Sequence, residues 1–414
     1  MKKIVIFIIV FVVALFLAGS VWWFFTKNDL ATTGDGTQQG TQTFNPFGLF
    51  GDITPIRPSA TSTDGQTPDT GVQQKKFLTA ISEKVVAGST FAIITHGTST
   101  DMLVRYVERE TGHIFDYSLS TGLTTRISNT TVPRVREALW GNNASTVALR
   151  YLTEDGSIET FLGTIATSSA NLDNGSLLSG SFLPKDIVSL SIHPTLPKTF
   201  YLTKTNAGGV GYVLSEKITK SVFLHPFSQW QTSWSGASSV LLTTAPSSQS
   251  NGNAFLLNTT TKTFDRIASS TTALTAHPSP DGLRVLFGSV GQAGMRLFIY
   301  DVMKKQRTAL SFSTLPEKCA WVGAGTLYCA IPDIQIQTGL PDVWYQGVVS
   351  FSDELWKIDT QTGNATFIFD PHDTISGGAD MIDIGVSAGG GFLSFTNKKD
   401  GRLWLVDFSA QPVE

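Results

Sequence analysis

The sequence predicts an all-β fold with an N-terminal membrane anchor, and three observations support this prediction. Charged residues make up only 15% of the 414 residues, and 38 glycines are present, a composition that is poor in helix formers and suits short strands joined by tight turns. From Lys76 onward the chain repeats one pattern of strands and turns. A long apolar run lies at the N-terminus, outside the repeating part. We therefore expect a large β-domain carried on a membrane anchor.

The apolar run extends from Ile4 to Phe25 and contains no charged residue. At about 1.5 Å per residue, a helix of this length spans a hydrocarbon core of about 30 Å with some tilt. Two lysines precede the run and one follows closely, so the positive-inside rule leaves the N-terminus in the cytoplasm and exports the remainder. We predict that residues 1–27 form a single-pass transmembrane anchor, which locates the domain at the cell membrane on its extracytoplasmic side.

A cleaved signal peptide is the alternative, with cleavage near Ala18–Ser20. The apolar run is longer than the 7–15 residues of a typical signal core, and five further apolar residues, VWWFF, follow that point. The pattern therefore favours an uncleaved anchor.

Residues 28–75 are rich in Thr, Gly, Gln, Pro and Asp. Such a segment buries too little apolar surface to offset its ordering entropy, so we predict a flexible linker with a span of roughly 35–40 Å. Phe44–Gly51, which reads FNPFGLFG, is an apolar exception. It is either a short docking motif or a cluster that rests on the membrane or the domain.

The clearest repeat is Ala273–Leu310, which reads as strand, turn at SPDG, strand, loop, strand, turn and strand. A four-stranded unit of this kind cannot bury both faces alone, so it needs neighbours packed around an axis. We therefore predict that residues 76–414 form a seven-bladed β-propeller. The seven first turns are predicted at Ala87, Trp140, His193, Trp234, His277, Trp321 and Ser387.

The last unit lacks an outer strand, because only Pro412, Val413 and Glu414 follow its third strand, which reads LWLVDFSAQ. Lys76–Ser82 has the pattern of an outer strand but has no earlier strands of its own. Pairing this segment with Arg402–Phe408 would close the ring and cover an edge that is a liability when left open.

The stretch HPSPDGLRVLF, with LFIYDV after it, resembles a blade of TolB-like and WD-repeat-like propellers, and the match is close for Ala276–Val302. The resemblance implies a propeller in which the SPDG turn joins two inner strands. It implies no single function, because propellers serve as scaffolds, receptors, peptidase gates and lyases.

The chain has two cysteines, Cys319 and Cys329, placed symmetrically about Ala324 at the centre of a predicted hairpin turn. A regular hairpin sets such residues opposite each other, at a Cα separation of about 4.5–5.5 Å that is compatible with a disulfide. We predict this disulfide in an oxidising compartment, with two reduced core cysteines as the alternative.

Residues 385–389 match the G-x-S-x-G nucleophile elbow, which requires a helix after the serine. A strand-like sequence follows instead, and Ser387 aligns with Ser279 of the SPDG turn, so a turn is predicted. No metalloprotease, P-loop or dinucleotide fingerprint is present, and we assign no catalytic residue and no metal site. The net charge of −3 gives no electrostatic reason to expect nucleic acid.

The candidate site follows from topology, because loops between second and third strands and connections between blades lie on the same face. The longest such loop is Ile331–Phe351, and the neighbouring connection is Asp370–Met381. Their acidic and aromatic side chains suit a sugar, a peptide or, more weakly, Ca²⁺, although a loop that merely caps the channel is an equal alternative. The predicted site residues are Asp333, Asp342, Trp344, Tyr345, His372, Asp373 and Asp380.

The leading hypothesis is a membrane-tethered extracytoplasmic propeller that binds a protein or glycan partner in a cell-envelope assembly, without a cofactor. The alternative is an envelope hydrolase or lyase acting on glycans or peptides, in which Asp373 and Asp380 could serve as paired carboxylates. A pocket that gathers a carboxylate pair from several blades would favour the alternative.

Overall fold

The computed structural model describes residues 76–96, 98–166, 178–291, 294–333 and 339–410. They belong to one compact unit, Val72–Glu414. The predicted anchor and almost all of the predicted linker lie outside the described residues, so both stay predictions. Among the residues that are described, no helix is long and apolar enough to cross a membrane.

The described residues form seven four-stranded antiparallel sheets, here called blades. Blade one contains β2 (Val86–His96), β3 (Ser99–Glu108), β4 (Ile114–Ser118) and β5 (Thr124–Arg126), and blade two contains β6 (Val135–Gly141), β7 (Thr146–Leu152), β8 (Ile158–Ile165) and β9 (Leu178–Phe182). Blade three contains β10 (Ile187–Ile192), β11 (Lys198–Thr205), β12 (Gly208–Ser215) and β13 (Ile218–His225). Blade four contains β14 (Trp230–Ser235), β15 (Ser239–Thr244), β16 (Asn251–Asn258) and β17 (Phe264–Thr272). Blade five contains β18 (Thr275–Pro278), β19 (Arg284–Gly291), β20 (Gly294–Asp301) and β21 (Gln306–Ala309). Blade six contains β22 (Cys319–Val322), β23 (Thr326–Pro332), β24 (Asp353–Asp359) and β25 (Ala365–Phe369). Blade seven contains β26 (Met381–Val386), β27 (Phe392–Asn397) and β28 (Leu403–Asp407), with β1 (Leu78–Ala80) outside β28.

The first strand of each blade lies at the centre of the molecule and packs on that of the next blade. Strand β2 contacts β6, β6 contacts β10, and the series continues to β26, which contacts β2 again. Between blades five and six the contact passes through a 3-10 turn, η1 (Pro316–Lys318). The ring of seven blades confirms the predicted propeller.

Blade seven takes its outermost strand from the N-terminal end of the described chain. Strand β1 pairs antiparallel with β28, with Leu78 opposite Val406. The flanking side chains pack in opposite directions around the ring. Phe77 sets its ring edge-on to Phe369 of blade six at 5.1 Å, whereas Ile81 is buried in a cluster with Val104 of blade one.

One of the predicted turns is wrong. Ala87 lies inside β2, and the first hairpin of blade one instead joins His96 to Ser99. The glycine of this AGST stretch, Gly88, has a packing role, because a Cβ there would lie 2.2 Å from the carbonyl oxygen of Ala138 in blade two. Gly88 is therefore required for close packing between two blades and does not form a turn.

The SPDG turn forms as predicted, and so does the turn at Ser387. Gly282 adopts φ +74°, a conformation that favours glycine, and Asp281 Oδ1 accepts a hydrogen bond from the Leu283 amide at 2.9 Å. The Ser387 hydroxyl accepts from the Phe392 amide at 3.0 Å, and a strand, β27, follows. The G-x-S-x-G sequence is therefore not a nucleophile elbow.

Cys319 and Cys329 are directly opposite in β22 and β23 and form a disulfide, with Cα atoms 4.1 Å apart. Both are buried against apolar residues of blade five, including Leu286 and Leu297. The predicted disulfide is confirmed.

Candidate functional site

The propeller has two faces that differ in their connections. Because strand direction alternates within a blade, the first and third turns of each blade lie on one face, here called the turn face. The second loops and the connections between blades lie on the other, the loop face. The loop face carries residues 339–352 of blade six, here called the cap segment, with the short helix α1 (Asp342–Tyr345).

A buried ion cluster lies directly beneath the cap segment. Lys318 Nζ is 2.6 Å from Asp380 Oδ1 and 2.7 Å from Asp353 Oδ2, and all three side chains are completely buried. The same ammonium donates to the carbonyl oxygen of Met381 at 2.9 Å. One positive charge is thus shared by two carboxylates from blade six and the connection to blade seven.

Asp380 fastens the cap segment to this cluster. Its Oδ2 accepts hydrogen bonds from the Trp344 indole N–H, the Ser350 hydroxyl and the Phe351 amide, each at 3.0 Å. Burial alone would raise the pKa of Asp380, but the charge of Lys318 and these hydrogen bonds outweigh it and hold the pKa below its usual range. Asp380 is therefore a structural anion.

Asp353 is the less well satisfied carboxylate of the pair. Its Oδ2 accepts from Lys318 and from the Met381 amide at 2.6 Å, whereas its buried Oδ1 has no hydrogen-bond partner. Burial raises the pKa of Asp353 to about 6 despite the opposing charge of Lys318. A proton added to the cluster therefore goes to Asp353 before Asp380.

Two lysines of blade seven hold the cap segment from the other side. Lys398 Nζ lies 3.9 Å from the centre of the Trp344 ring and donates to the Trp344 carbonyl oxygen. Lys399 Nζ donates to Ser352 Oγ at 2.9 Å and to the Gly377 carbonyl oxygen at 2.5 Å. Both the cap segment and the blade six–seven connection are thereby bonded to the turn between β27 and β28.

The cap segment also extends to blade four. Asp342 Oδ2 accepts from the amide and hydroxyl of Ser248, at 2.8 and 2.5 Å. Tyr345, the next aromatic residue after Trp344, donates its hydroxyl to Glu317. Desolvation raises the pKa of both Tyr345 and Glu317. These contacts give the segment a fixed position.

The predicted site residues separate into two groups. Trp344 and Asp380 are buried and bonded to each other, and Asp342 is half-buried; these three residues hold the cap segment in place. The exposed members of the set are Asp333, Tyr345, His372 and Asp373.

The two exposed members in the connection to blade seven lie on the 3-10 turn η2 (Pro371–Asp373). The His372 ring packs over Gly378, and its Nδ1 lies 3.0 Å from Asp370 Oδ1. Asp373 is exposed, whereas Asp380 is buried with both oxygens accepting hydrogen bonds. Asp373 and Asp380 therefore do not form an open carboxylate pair.

In the described part of the chain, no group of three or more His, Cys, Asp or Glu side chains is arranged to hold a metal ion. The weak Ca²⁺ hypothesis stays a prediction.

A second carboxylate site, which the sequence reasoning missed, lies in the central channel. A cavity of about 1240 Å³ is bounded by the first strands of blades one, two and seven and by Tyr345. Glu137 of blade two and Asp383 of blade seven line it, together with Arg136. The one available signal was an aspartate in the otherwise uncharged first strand MIDIGV.

The fold can be compared with solved structures. The β-propeller domain of Cps50 (Swd1) from Myceliophteria thermophila has a TM-score of 0.50 at 10% identity, covering 80% of this chain and 99% of that one. Oligogalacturonate lyase from Vibrio parahaemolyticus has a TM-score of 0.50 at 9% identity, covering 83% and 96%. No protein-family model matches the chain, and no curated protein matches its sequence.

These similarities concern the fold. The predicted β-propeller fold is confirmed at that level. At such low identity the likeness assigns no activity, because one propeller fold hosts unrelated functions.

Proposed function

We propose that this protein is a membrane-tethered, extracytoplasmic propeller that acts as a binding and scaffolding module in a cell-envelope assembly. The β-propeller is a common binding fold. The sequence adds the predicted anchor in residues 1–27 and the predicted linker in residues 28–75, which together would hold the domain close to the membrane.

The observation that carries the proposal is the fixed position of the cap segment. Asp380, Lys398 and Asp342 attach it at three points to three different parts of the ring. A surface held in one conformation before binding loses little entropy when a partner docks. The cap segment presents Tyr345 and Val348, which are 44% and 70% exposed, and the next connection on the same face carries the exposed acidic residue Asp373. A protein or glycan partner of the cell envelope fits this combination of aromatic, apolar and acidic groups.

The hydrolase or lyase alternative has less support from the geometry. The pair predicted for that chemistry, Asp373 and Asp380, is not open. The carboxylates that do share a cavity are Glu137 and Asp383, and Glu137 Oε2 is already 2.7 Å from Arg150 Nη1. An ion-paired carboxylate is a weak general base, so the arrangement supports binding better than hydrolysis.

Site-specific photocrosslinking in cells that produce the full chain tests the proposal. A benzophenone side chain is introduced at Val348 on the loop face or, as matched control, at Met303 on the turn face, which is 77% exposed. We expect a discrete crosslinked product from position 348 and none of that size from position 303. The Asp373→Lys substitution should reduce the yield from position 348. Identical products from both positions, or no product from either, would contradict a partner-binding loop face.

A further inference from the structure

The geometry of the central channel points to a second binding site. Strand β26 contains a bulge: Ile382 pairs with Thr396 and Gly385 with Ser394, so that Asp383 and Ile384 together oppose a single residue. Such bulges re-aim side chains and recur next to binding sites. Asp383 adopts φ +50°, and its side chain is exposed to the channel.

The carboxylate of Asp383 has no compensating partner. No hydrogen bond or ion pair is made by this side chain with any described residue, and it is open to the cavity that it lines. Desolvation raises the pKa of Asp383 to about 6, and the charge of Glu137 adds to the effect. The two acidic groups, from blades seven and two, therefore interact electrostatically within this cavity.

One neighbouring cation, Arg150, pairs with Glu137 but not with Asp383. Arg150 holds Glu137 Oε2 and also donates to the carbonyl oxygen of Ile187 at 2.7 Å, which directs it toward blade three. Arg136 lines the cavity but makes no ion pair with Glu137 or Asp383. Asp383 therefore has no ion-pair partner among the described residues.

The cavity wall has further unmet hydrogen-bonding capacity. Ser89 Oγ and Trp140 Nε1 belong to the same lining, and both are buried polar atoms without a partner in the described structure. These two atoms are hydrogen-bonding groups that a bound polar ligand could engage. The indole of Trp140 also offers an aromatic surface of the kind that attracts cations.

We propose that this cavity binds an ammonium or guanidinium group, with Asp383 as its counter-charge. The volume of about 1240 Å³ accommodates a ligand well beyond a single ion. The group belongs either to a small organic cation or to a lysine or arginine side chain inserted into the channel. This site requires neither the predicted anchor nor the loop-face partner, so it stands or falls independently of the proposed function.

Isothermal titration calorimetry of the full chain in a non-ionic detergent tests the proposal. The first probe is N-acetyl-lysine-methylamide at pH 7.5, and its control is N-acetyl-norleucine-methylamide, which has the same apolar chain without the charge. We expect binding of the lysine derivative only. Asp383→Asn should weaken it by about 10- to 100-fold, as expected for loss of a hydrogen bond to a charged group. Glu154→Gln, which removes an exposed carboxylate outside the cavity, should leave the affinity unchanged.

Asparagine tolerates positive φ as well as aspartate does, so the Asp383→Asn variant should remain folded, which its thermal melt will show. The affinity of the unsubstituted protein should rise between pH 5 and pH 7 as Asp383 loses its proton, and the variant should lack this rise. Spermidine and the peptide Ala-Lys-Ala separate the two sources of the cation, and preferential binding of either supports the site. Equal binding of the norleucine derivative, unchanged affinity in Asp383→Asn, binding of CaCl₂ alone, or no heat with any of these cations would overturn the proposal.

Discussion

Replacing Lys318 with methionine should destabilise the propeller strongly. Lys318 is the only cation within hydrogen-bonding distance of Asp353 and Asp380 among the described residues, and all three side chains have no solvent exposure. Methionine approximates the length of the lysine but leaves two buried carboxylates facing each other without a counter-charge. Removing one partner from a buried ion cluster costs about 3–5 kcal/mol.

This free-energy change can be converted to a melting temperature. At about 2.1 cal/mol/K of unfolding entropy per residue, a domain of roughly 340 residues loses about 4–7 °C for such a change. The assay is urea denaturation of the full chain in non-ionic detergent, followed by tryptophan fluorescence, with a parallel calorimetric scan. Lys204→Met is the matched control, because Lys204 is exposed and such surface substitutions usually change stability by less than 0.5 kcal/mol.

The pH dependence separates an electrostatic loss from a packing loss. Without Lys318 the pKa of both carboxyl groups rises, so protonation at pH 5 should recover part of the stability that is missing at pH 7.5. A loss no larger than that of Lys204→Met would refute the assigned role of the cluster. An equal loss at both pH values would show that the defect is one of packing.

Three further changes have defined outcomes. Phe77→Ala should reduce the free energy of unfolding by about 3–5 kcal/mol, because a buried ring that packs on blade six is removed; Lys76→Ala is the exposed control, and equal denaturation midpoints would contradict the role given to this segment. Asp353→Asn should flatten the stability profile measured from pH 4 to 7: the folded pKa of about 6 exceeds the usual unfolded value of about 3.9, so the native carboxyl binds a proton between these values and stability falls as pH rises through 6. An unchanged slope would exclude Asp353 as the titrating group. Replacing Cys319 and Cys329 with alanine should cost about 2–3 kcal/mol for a loop of this length, and peptide mapping without reductant should recover both in one linked fragment.

The fold was largely predictable because the turns and hairpins of each blade depend on residues that are close in the sequence. Asp281 and Gly282 form a turn through contacts within four residues, and the spacing of Cys319 and Cys329 about Ala324 determines their pairing within one hairpin. The turn prediction at Ala87 was wrong because the decisive contact there is made between blades. The neighbour that requires a glycine there, Ala138, belongs to another blade, and one chain segment cannot reveal it.

The candidate site was predictable only in its location. Topology indicated that the blade-six loop and the connection to blade seven share a face, but their roles depend on partners distant in sequence. Asp380 is a structural anion because Lys318 lies beneath it, 62 residues away in the chain. Asp383 lines a cavity because it lies at a bulge in β26 and because blades one and two supply the rest of the wall. Neither relation has a signature in the local sequence.

Protease treatment of spheroplasts tests the central claim, that a propeller is tethered outside the cytoplasm by an N-terminal anchor, most directly. Full-length protein and a variant lacking residues 1–27 are produced in a bacterial host, and protease is added before and after permeabilisation. If the account is correct, the full chain sediments with membranes, and external protease cuts within the predicted linker and releases a folded fragment that begins near Lys76. Protection of that fragment until the membrane is permeabilised, or equal sedimentation of the variant that lacks the anchor, would contradict it.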